Sequence, residues 1–242
     1  MNALDIFALQ AAAWGLRLED RQCESLLRYA DLLASYDKSN VIGTRDPGRI
    51  LLDHVLDSLS CFLHEPLLRA GRLADVGSGG GLPGIPISIM RTGMPTTLIE
   101  STGKKSRFLE YAVQDLTLET VGVANARVED VGRTQVNRGA YDVVTTRAVA
   151  KLSVVAEYCV PLLKVGGSAV AMKGWLDLKE VAEGRGAARE LGAEVTDVLR
   201  VPMLTEVGDK ERNLVIIRKV TETPNRYPRR AGLAVKKPLG VD

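Results

Sequence analysis

The stretch that decides the fold is Leu73-Ala74-Asp75-Val76-Gly77-Ser78-Gly79-Gly80-Gly81-Leu82-Pro83-Gly84. A short apolar strand runs into five glycines within eight residues, and a helix-like segment follows. Glycine at this density indicates a backbone that turns sharply or lets another molecule approach its amides. At a strand-to-helix turn, free N–H groups and the positive end of the helix dipole face outward. The stretch therefore predicts a nucleotide-like ligand at this turn.

Two cofactors compete for this turn. Gly79-x-Gly81-x-x-Gly84 fits the dinucleotide pattern G-x-G-x-x-G, which is a weak signal by itself. Asp75-Val76-Gly77-x-Gly79-x-Gly81 fits the S-adenosylmethionine (AdoMet) pattern of class I methyltransferases. A carboxylate at Asp75 suits a ligand that carries an ammonium and a sulfonium, whereas it would repel a pyrophosphate. Pro83 would be awkward inside the helix of a dehydrogenase. AdoMet is favoured, and a dinucleotide stays the alternative.

Three segments are expected along the chain: a helical cap over residues 1–66, an AdoMet-binding methyltransferase domain over 67–222 and a basic, poorly ordered tail over 223–242. From Arg72 onward strands alternate with helices, which is typical of a parallel sheet. The chain then closes on a strand pair instead of a further βα unit. The predicted fold class is α/β, a class I AdoMet-dependent methyltransferase fold: Rossmann-like, mostly parallel, with a terminal antiparallel strand pair and an N-terminal helical extension. The predicted strands are Leu73–Val76, Thr96–Glu100, Thr120–Ala124, Tyr141–Thr145, Gly167–Met172, Val195–Pro202 and Asn213–Arg218, with a helix over Val149–Leu163.

Composition and charge narrow the function classes. The chain carries a net charge of only +2, but its last residues are rich in Arg and Lys. This charge fits either a polyanionic partner touched at one end or a tail that is merely solvated. The three cysteines make no metal-ligand spacing, and no membrane span or signal peptide is visible. We expect a cytoplasmic monomer that holds no metal.

Several polar residues at strand ends are candidates for cofactor or RNA contacts. Glu100 ends the second predicted strand, where an acidic side chain can accept both ribose hydroxyls of the cofactor. Val128 and Glu129 follow the third strand, where this fold holds the adenine, an assignment by fold analogy alone. Lys104 and Lys105 open a helix at the end where cations oppose the dipole, so either phosphate contact or a solvated face explains them.

Arg147 and Lys173 follow the fourth and fifth predicted strands, where methyltransferases hold the group that faces the methyl. No [N/D]-P-P-[Y/F] run and no Pro-Cys nucleophile stands there, which disfavours an exocyclic amine or a covalent adduct. A ring nitrogen such as guanine N7 has a free lone pair and no proton to remove, so its methylation needs mainly alignment. A cation that donates to guanine O6 would orient such a base. The alternative for Arg147 is a salt bridge.

Taken together, these motifs resemble one known family, the RsmG (GidB) 16S rRNA methyltransferases. The similarity runs from about Tyr36 to the C-terminus, and the G-x-G-L-P-G-I-P block is its most specific part. The chain departs from the family at Asn40-Val41-Ile42, where members often read Asn-Leu-Thr. The motifs that carry the resemblance are Asp75 to Pro86, Arg45-Asp46-Pro47, His54-x-Leu56-Asp57-Ser58-Leu59, Lys104-Lys105-x-x-Phe108-Leu109, Arg127-Val128-Glu129, Thr146-Arg147-Ala148, Lys173-Gly174 and Tyr227-Pro228-Arg229-Arg230-Ala231-Gly232.

The resemblance implies AdoMet-dependent methylation of guanine N7 in the 530 loop of 16S rRNA, in the small ribosomal subunit. It implies cofactor contacts at Gly77, Leu82, Val128, Glu129 and Arg147, to which the glycine pattern adds Gly79 and Gly81. Asn40 and His54 match family positions that would face the RNA, and Arg229 and Arg230 would supply phosphate attraction. A small-molecule methyltransferase and a non-catalytic RNA- or ribosome-binding module on the same fold remain alternatives.

Overall fold

The computed structural model of the protein describes residues 2–38, 40–208 and 210–240. The chain opens with two helices, α1 (Ala3–Ala13) and α2 (Asp20–Ser35). Asn2 caps α1 by accepting from the Asp5 amide, and the Asp5 side chain accepts from the Asn2 amide in return. The apolar side of α2 is buried through Leu26, Tyr29 and Leu33, which ties this helix to the rest of the molecule.

A helical stretch that changes its winding leads from residue 47 to the sheet. Asp46 is its N-cap and accepts from the amides of Gly48 and Arg49, with Pro47 at the first helical position. A π-helical turn in its middle contains His54, and such turns are frequent at functional sites. The pieces are α3 (Pro47–Ile50), the π turn (Leu51–Leu56), α4 (Asp57–Leu59) and two 3-10 turns (Ser60–Leu63 and Glu65–Arg69).

A seven-stranded sheet forms the centre, in the order β3-β2-β1-β4-β5-β7-β6. β1 to β5 are parallel, whereas β7 pairs antiparallel with both β5 and β6. The α/β class, the mostly parallel sheet and the terminal antiparallel pair are therefore as predicted. The strands are β1 (Leu73–Val76), β2 (Thr96–Ile99), β3 (Val121–Ala124), β4 (Tyr141–Arg147), β5 (Leu163–Lys173), β6 (Ala193–Arg200) and β7 (Asn213–Lys219).

Helices cover both faces of the sheet. One apolar cluster joins α1, α2, the stretch from Ile50 to Leu67 and the helices over residues 84–90 and 103–115 to one face of the sheet. A second cluster joins the helices over residues 128–131, 152–159 and 178–190 to the other face. Among residues 2–38, 40–208 and 210–240, none forms a helix long and apolar enough to cross a membrane. The later helices are α5 (Gly84–Met90), α6 (Gly103–Asp115), α7 (Val128–Val131), α8 (Leu152–Cys159), α9 (Leu178–Glu190) and α10 (Leu233–Lys236).

The region after β4 differs from its predicted form. β4 continues to Arg147, two residues beyond the prediction, because Arg147 still pairs with Met172 of β5. Ala148 then adopts a left-handed conformation (φ 55°), which turns the chain out of the sheet. The predicted helix over Val149–Leu163 is wrong at both ends, since α8 begins only at Leu152 and Leu163 already belongs to β5.

The C-terminal segment, residues 223–240, contradicts the expectation of a poorly ordered tail. Tyr227, Ala234 and Leu239 are buried in the second apolar cluster or beside it. Arg138 donates to the carbonyls of Thr223 and Tyr227, at 2.8 and 2.6 Å. The order of this segment was not predicted because its backbone is irregular. Single apolar side chains and contacts to carbonyl groups hold it, and these leave no periodic pattern in the sequence. Residues 241 and 242 of the predicted tail lie outside the described residues.

Candidate active site

A cavity of about 260 Å³ opens where β1 and β2 end, next to the glycine turn. Such carboxyl ends of parallel strands are where open α/β sheets bind ligands. We call it the cofactor pocket. Its lining residues are Val76, Gly77, Ile99, Glu100, Ser101, Ala126, Arg127, Val128, Glu129, Val149, Ala150, Tyr158 and Val235.

The glycine turn forms one wall of this pocket with backbone atoms. Gly77 has φ +68°, and a Cβ atom there would lie 2.6 Å from a methyl carbon of Val149, which also lines the pocket. Gly79 has φ +58°, and its amide donates to the Glu100 carboxylate at 2.9 Å. Both positions therefore need glycine for their conformation, and Gly77 also for space.

Glu100 lies at the predicted place and is 6% exposed. Its carboxylate also accepts from the Thr102 amide at 2.7 Å, so the group is fixed between the glycine turn and the start of α6. A carboxylate offers about four lone-pair sites. Two of them are used by these amides, which leaves capacity for the hydroxyls of a ribose.

Asp75 does not line the pocket, although its charge favoured AdoMet in the sequence. It is fully buried and accepts from the Thr145 hydroxyl at 2.9 Å and from the Gly84 amide at 3.2 Å. Burial raises the pKa of Asp75 to about 6. The carboxyl group therefore links β1, β4 and the start of α5, and the shape of the glycine turn depends on it.

The C-terminal segment reaches the far side of the cofactor pocket. The Gly232 amide donates to the buried Glu129 carboxylate at 2.8 Å, and Val235 lines the cavity. Glu129 thus lies in the predicted pocket, but one of its oxygens already holds the C-terminal segment. Nothing in the sequence pattern indicated that Val235 belongs to this site.

Gly81 and Leu82 lie away from this lining. Both are buried, and a Cβ atom at Gly81 would lie 2.4 Å from the Ile85 side chain and 2.9 Å from the Tyr29 hydroxyl. The part of the glycine turn that contains them therefore packs between α2 and α5. Direct cofactor contacts of Gly81 and Leu82 remain predictions.

A second cavity, of about 460 Å³, lies beyond residues 147–150 and is called the acceptor pocket here. Segments that are distant in the sequence meet in it: the π turn and α4, the ends of β4 and β5, and the loop from β6 to β7. Its lining residues are Asp53, His54, Asp57, Ser60, Arg147, Ala148, Met172, Lys173, Gly174, Trp175, Val201, Lys210, Glu211, Arg212, Asn213 and Leu214.

Arg147 is held in this pocket by two side chains of the N-terminal part. Its guanidinium lies 3.2 Å from an Asp57 carboxylate oxygen and donates to His54 Nδ1 at 3.3 Å. Both side chains come from the motif His54-x-Leu56-Asp57, three residues apart. The other Asp57 oxygen pairs with Arg212 at 3.1 Å. Burial raises the pKa of Asp57, an effect that the two arginines oppose.

His54 is neutral at ordinary pH. Burial first and the charge of Arg147 second lower the pKa of His54 to about 4. Because a guanidinium can only donate, Nδ1 accepts from Arg147 and the ring proton is assigned to Nε2. His54 thereby carries a donor N–H and no charge.

Lys173 also lines the acceptor pocket, and its ammonium is fixed at the border of the two cavities. It pairs with Glu180 at 2.6 Å and donates to the Ala150 carbonyl at 2.9 Å. Arg212 and Lys210 extend the set of cations and were missed in the sequence. The only signal for them was the run of charged residues between the last two predicted strands.

The remaining residues expected to face RNA fall into two groups. Asn40, Lys104 and Arg230 are exposed, and Lys105 is half-buried. Arg229 is different: it pairs with Glu157, which is 1% exposed, and its Nε lies 2.9 Å from the carboxylate. The expectation that Arg229 offers a free charge to RNA is therefore wrong, because that charge neutralises a buried acid.

The cofactor pocket fits AdoMet. Gly77, with its positive φ, lets a ligand approach the backbone, and Glu100 can accept from ribose hydroxyls. The side chains of Val128, Tyr158 and Val235 offer contact area for a purine. In the parts of the chain that the structure describes, no three His, Cys, Asp or Glu residues cluster closely enough to hold a metal ion. The fold and the site together define a class I AdoMet-dependent methyltransferase.

Comparison with solved structures agrees on this fold. Geranyl diphosphate C-methyltransferase from Streptomyces coelicolor, in complex with S-adenosylhomocysteine, aligns over 84% of this chain and 99% of its own with a TM-score of 0.55 at 16% identity. The AdoMet-dependent methyltransferase SibL aligns over 82% of this chain and 70% of its own with the same TM-score at 14% identity.

Comparison of sequences is more specific. The family model described as rRNA small subunit methyltransferase G matches residues 22–222. Ribosomal RNA small subunit methyltransferase G of Rubrobacter xylanophilus is 56% identical over 98% of this chain and 92% of its own length. The protein of the same name from a Roseiflexus species is 43% identical over 98% of this chain and 100% of its own. The chain belongs to the ribosomal RNA small subunit methyltransferase G family, the RsmG (GidB) family.

Proposed function

We propose that this enzyme transfers a methyl group from AdoMet to N7 of a guanine in the 530 loop of 16S rRNA, and that it does so in the small ribosomal subunit. The observation that carries the proposal is the position of Arg147. It lies in the acceptor pocket directly before the 148–150 segment that separates this pocket from the cofactor pocket, and Asp57 and His54 fix its guanidinium.

The chemistry of the acceptor pocket fits a nucleophile that has no proton to lose. The acids that line it are engaged: Asp57 pairs with Arg147 and Arg212, Asp53 with Lys210, and Glu211 accepts from the Asn213 side chain. Each of these carboxylates already has a protein partner, so taking a proton from a substrate would weaken that contact. Guanine N7 needs no base, because its lone pair attacks the methyl carbon directly.

AdoMet supplies an electrophilic methyl group on a sulfonium. As the bond from N7 to carbon forms, the bond from carbon to sulfur breaks and its electron pair returns to sulfur, so the positive charge moves to the purine. The protein's own residues have to orient the base and exclude other nucleophiles. Arg147 and the Nε2–H of His54 are donors of the kind that can bind guanine O6 while N7 stays free.

A guanine exposes N7 to a methyl donor when it is unstacked, so a loop nucleotide is a suitable target. The exposed cations Lys104, Lys210 and Arg230 would attract the phosphates around it, with the salt dependence that follows. Residues of one chain form both pockets, which supports action as a monomer. The site of action would be the cytoplasm, where small subunits assemble.

The proposal is tested with purified enzyme, methyl-labelled AdoMet and small subunits from cells that lack this activity. Borohydride and aniline treatment of the labelled rRNA cleaves at N7-methylguanosine. We expect one new cleavage, in the 530 loop, and none with the Arg147→Ala variant. Label in the RNA without cleavage would refute N7 as the acceptor. Label in a small molecule but not in RNA would favour the small-molecule alternative.

A further inference from the structure

Trp175 stands at the rim of the acceptor pocket and is not explained by the fold. It follows Lys173-Gly174 at the end of β5, lines the cavity and is 71% exposed. The other tryptophan of the chain, Trp14, packs against the first apolar cluster, and its indole N–H donates to the Pro202 carbonyl at 2.7 Å. A large aromatic side chain left in water gains little for folding, so its exposure at a pocket points to a ligand.

The charges around Trp175 indicate what kind of ligand this is. Lys210 and Arg212 line the same cavity from the loop between β6 and β7, with side chains 67% and 11% exposed, and Lys173 lies two residues before the tryptophan. An aromatic face combined with cations is the arrangement that binds single-stranded nucleic acid, since bases stack on the ring while cations attract phosphates.

Trp175 lies nearer the solvent than the residues that would hold the target base. The side chains of Arg147, Lys173 and Arg212 are 18%, 16% and 11% exposed, far less than the indole. A base oriented by these cations lies inside the cavity, whereas an indole at the rim meets the nucleotide next to it. An unstacked target also leaves its neighbour with one free face.

We propose that Trp175 stacks on the nucleobase adjacent to the target guanine and thereby holds the RNA strand open at the pocket mouth. The inference rests on the proposed function in that the substrate is RNA. It makes Trp175 a positioning residue, because it does not touch the reacting atoms. The stacking energy is the same in the bound complex and in the transition state. Loss of Trp175 should therefore raise KM more than it lowers kcat.

Steady-state methylation of small subunits by Trp175→Ala, Trp175→Phe and Trp175→Leu tests this. Loss of a base–aromatic stack costs about 1–3 kcal/mol, which corresponds to a KM for small subunits about 5- to 150-fold higher. We expect this rise in Trp175→Ala and Trp175→Leu, and a KM within about threefold of wild type in Trp175→Phe. The kcat and the Kd for AdoMet should stay unchanged in all three variants.

Leu178→Ala is the matched control, because Leu178 is 91% exposed three residues further on and does not line the acceptor pocket. Its KM should equal that of wild type. Unchanged KM in Trp175→Ala, or full activity in Trp175→Leu, would overturn the stacking role. A fall in kcat with unchanged KM would overturn the positioning role. No methylation of small subunits by the wild-type enzyme would instead refute the proposed function.

Discussion

The cofactor pocket and the acceptor pocket share the segment around Ala148 but are built in opposite ways. The cofactor pocket lies beside the start of the glycine turn, where Gly77 lines it, and neighbouring strand ends complete it. The acceptor pocket consists of charged side chains from four separate segments, held by ion pairs such as Asp57 with Arg147. Local sequence can specify the first kind of site, while the second exists only after folding brings its parts together.

The two pockets also treat charge differently. The acid below the glycine turn, Asp75, forms no direct ion pair with a described residue and is bound by a hydroxyl and an amide. The acids of the acceptor pocket share cations, as Asp57 does with Arg147 and Arg212. Substitutions in the first pocket should therefore act through shape, and those in the second through charge and orientation.

Arg147→Ala should have the largest effect on methyl transfer. It should distinguish the two pockets most clearly, because it changes the acceptor pocket only. Loss of one donor that orients the acceptor costs about 10²- to 10³-fold in the rate of transfer, and Asp57 would be left with one cation fewer. Single-turnover transfer of labelled methyl to small subunits, at saturating AdoMet, measures the loss. Lys173→Ala should slow transfer about tenfold. Arg49→Ala, at a 65% exposed side chain, is the control, and a wild-type rate in Arg147→Ala would contradict the role.

Substitution of two neighbouring arginines, Arg229→Met and Arg230→Met, tests whether the cofactor pocket depends on the distant C-terminal segment. Removing the partner of buried Glu157 should cost about 3 kcal/mol of stability, because an unpaired charge then stays buried. It should also weaken AdoMet binding, since Val235 and Gly232 follow in the same segment. Urea unfolding and calorimetric titration with AdoMet measure the two effects.

Arg230 is exposed, so Arg230→Met should leave stability and AdoMet binding unchanged and reduce only the salt dependence of subunit binding. Equal affinities of the two variants for AdoMet would show that the C-terminal segment does not support the cofactor pocket.

Gly77→Ala tests the backbone wall of the cofactor pocket. A Cβ atom at φ +68° costs about 1–2 kcal/mol by itself, and the clash with Val149 would narrow the cavity. We expect the Kd for AdoMet to rise about tenfold or more. Gly122→Ala is the matched control, because nothing lies within 4 Å of its Cβ position and its φ is ordinary. A Kd that is unchanged in Gly77→Ala would show that the ligand does not approach this turn.

Asp75→Asn should show the smallest effect, a change in the pH dependence of stability. The pKa of Asp75 rises from its ordinary value near 3.8 to about 6 in the folded protein, so ionisation of this group opposes folding. Between pH 4.5 and 7.0 the wild type should therefore lose about 2 kcal/mol relative to the variant. Urea unfolding at both pH values measures this, and a difference that stays constant between them would contradict the raised pKa of Asp75.

Local features of the fold could be predicted because they depend on residues near one another in the chain. β1 has the predicted bounds, because a short strand that runs into a cluster of glycines is defined by its near neighbours in the sequence. The course after β4 was predicted incorrectly because it depends on Arg147 pairing with Met172 and on the left-handed turn at Ala148. Long-range pairing leaves no local pattern.

The candidate site divides in the same way. Gly77, Glu100 and Val128 were predicted and line the cofactor pocket, because strand-end positions of a parallel sheet follow from the order of the elements. Trp175 and Val235 were not predicted, since an isolated tryptophan or valine has the same appearance in a sequence whether it is buried, exposed or beside a ligand.

The sequence by itself determined the fold class, the strand-to-helix turn at Leu73–Gly84 and the family, because glycine spacing and apolar periodicity act over a few residues. Only the tertiary structure decided which charged side chains form ion pairs and which remain available to a ligand. Asp57 meets Arg147 across 90 residues, and Glu157 takes the charge of Arg229 across 72. The physical reason is that a buried charge requires a partner wherever the fold provides one, and neither its burial nor its partner is encoded locally.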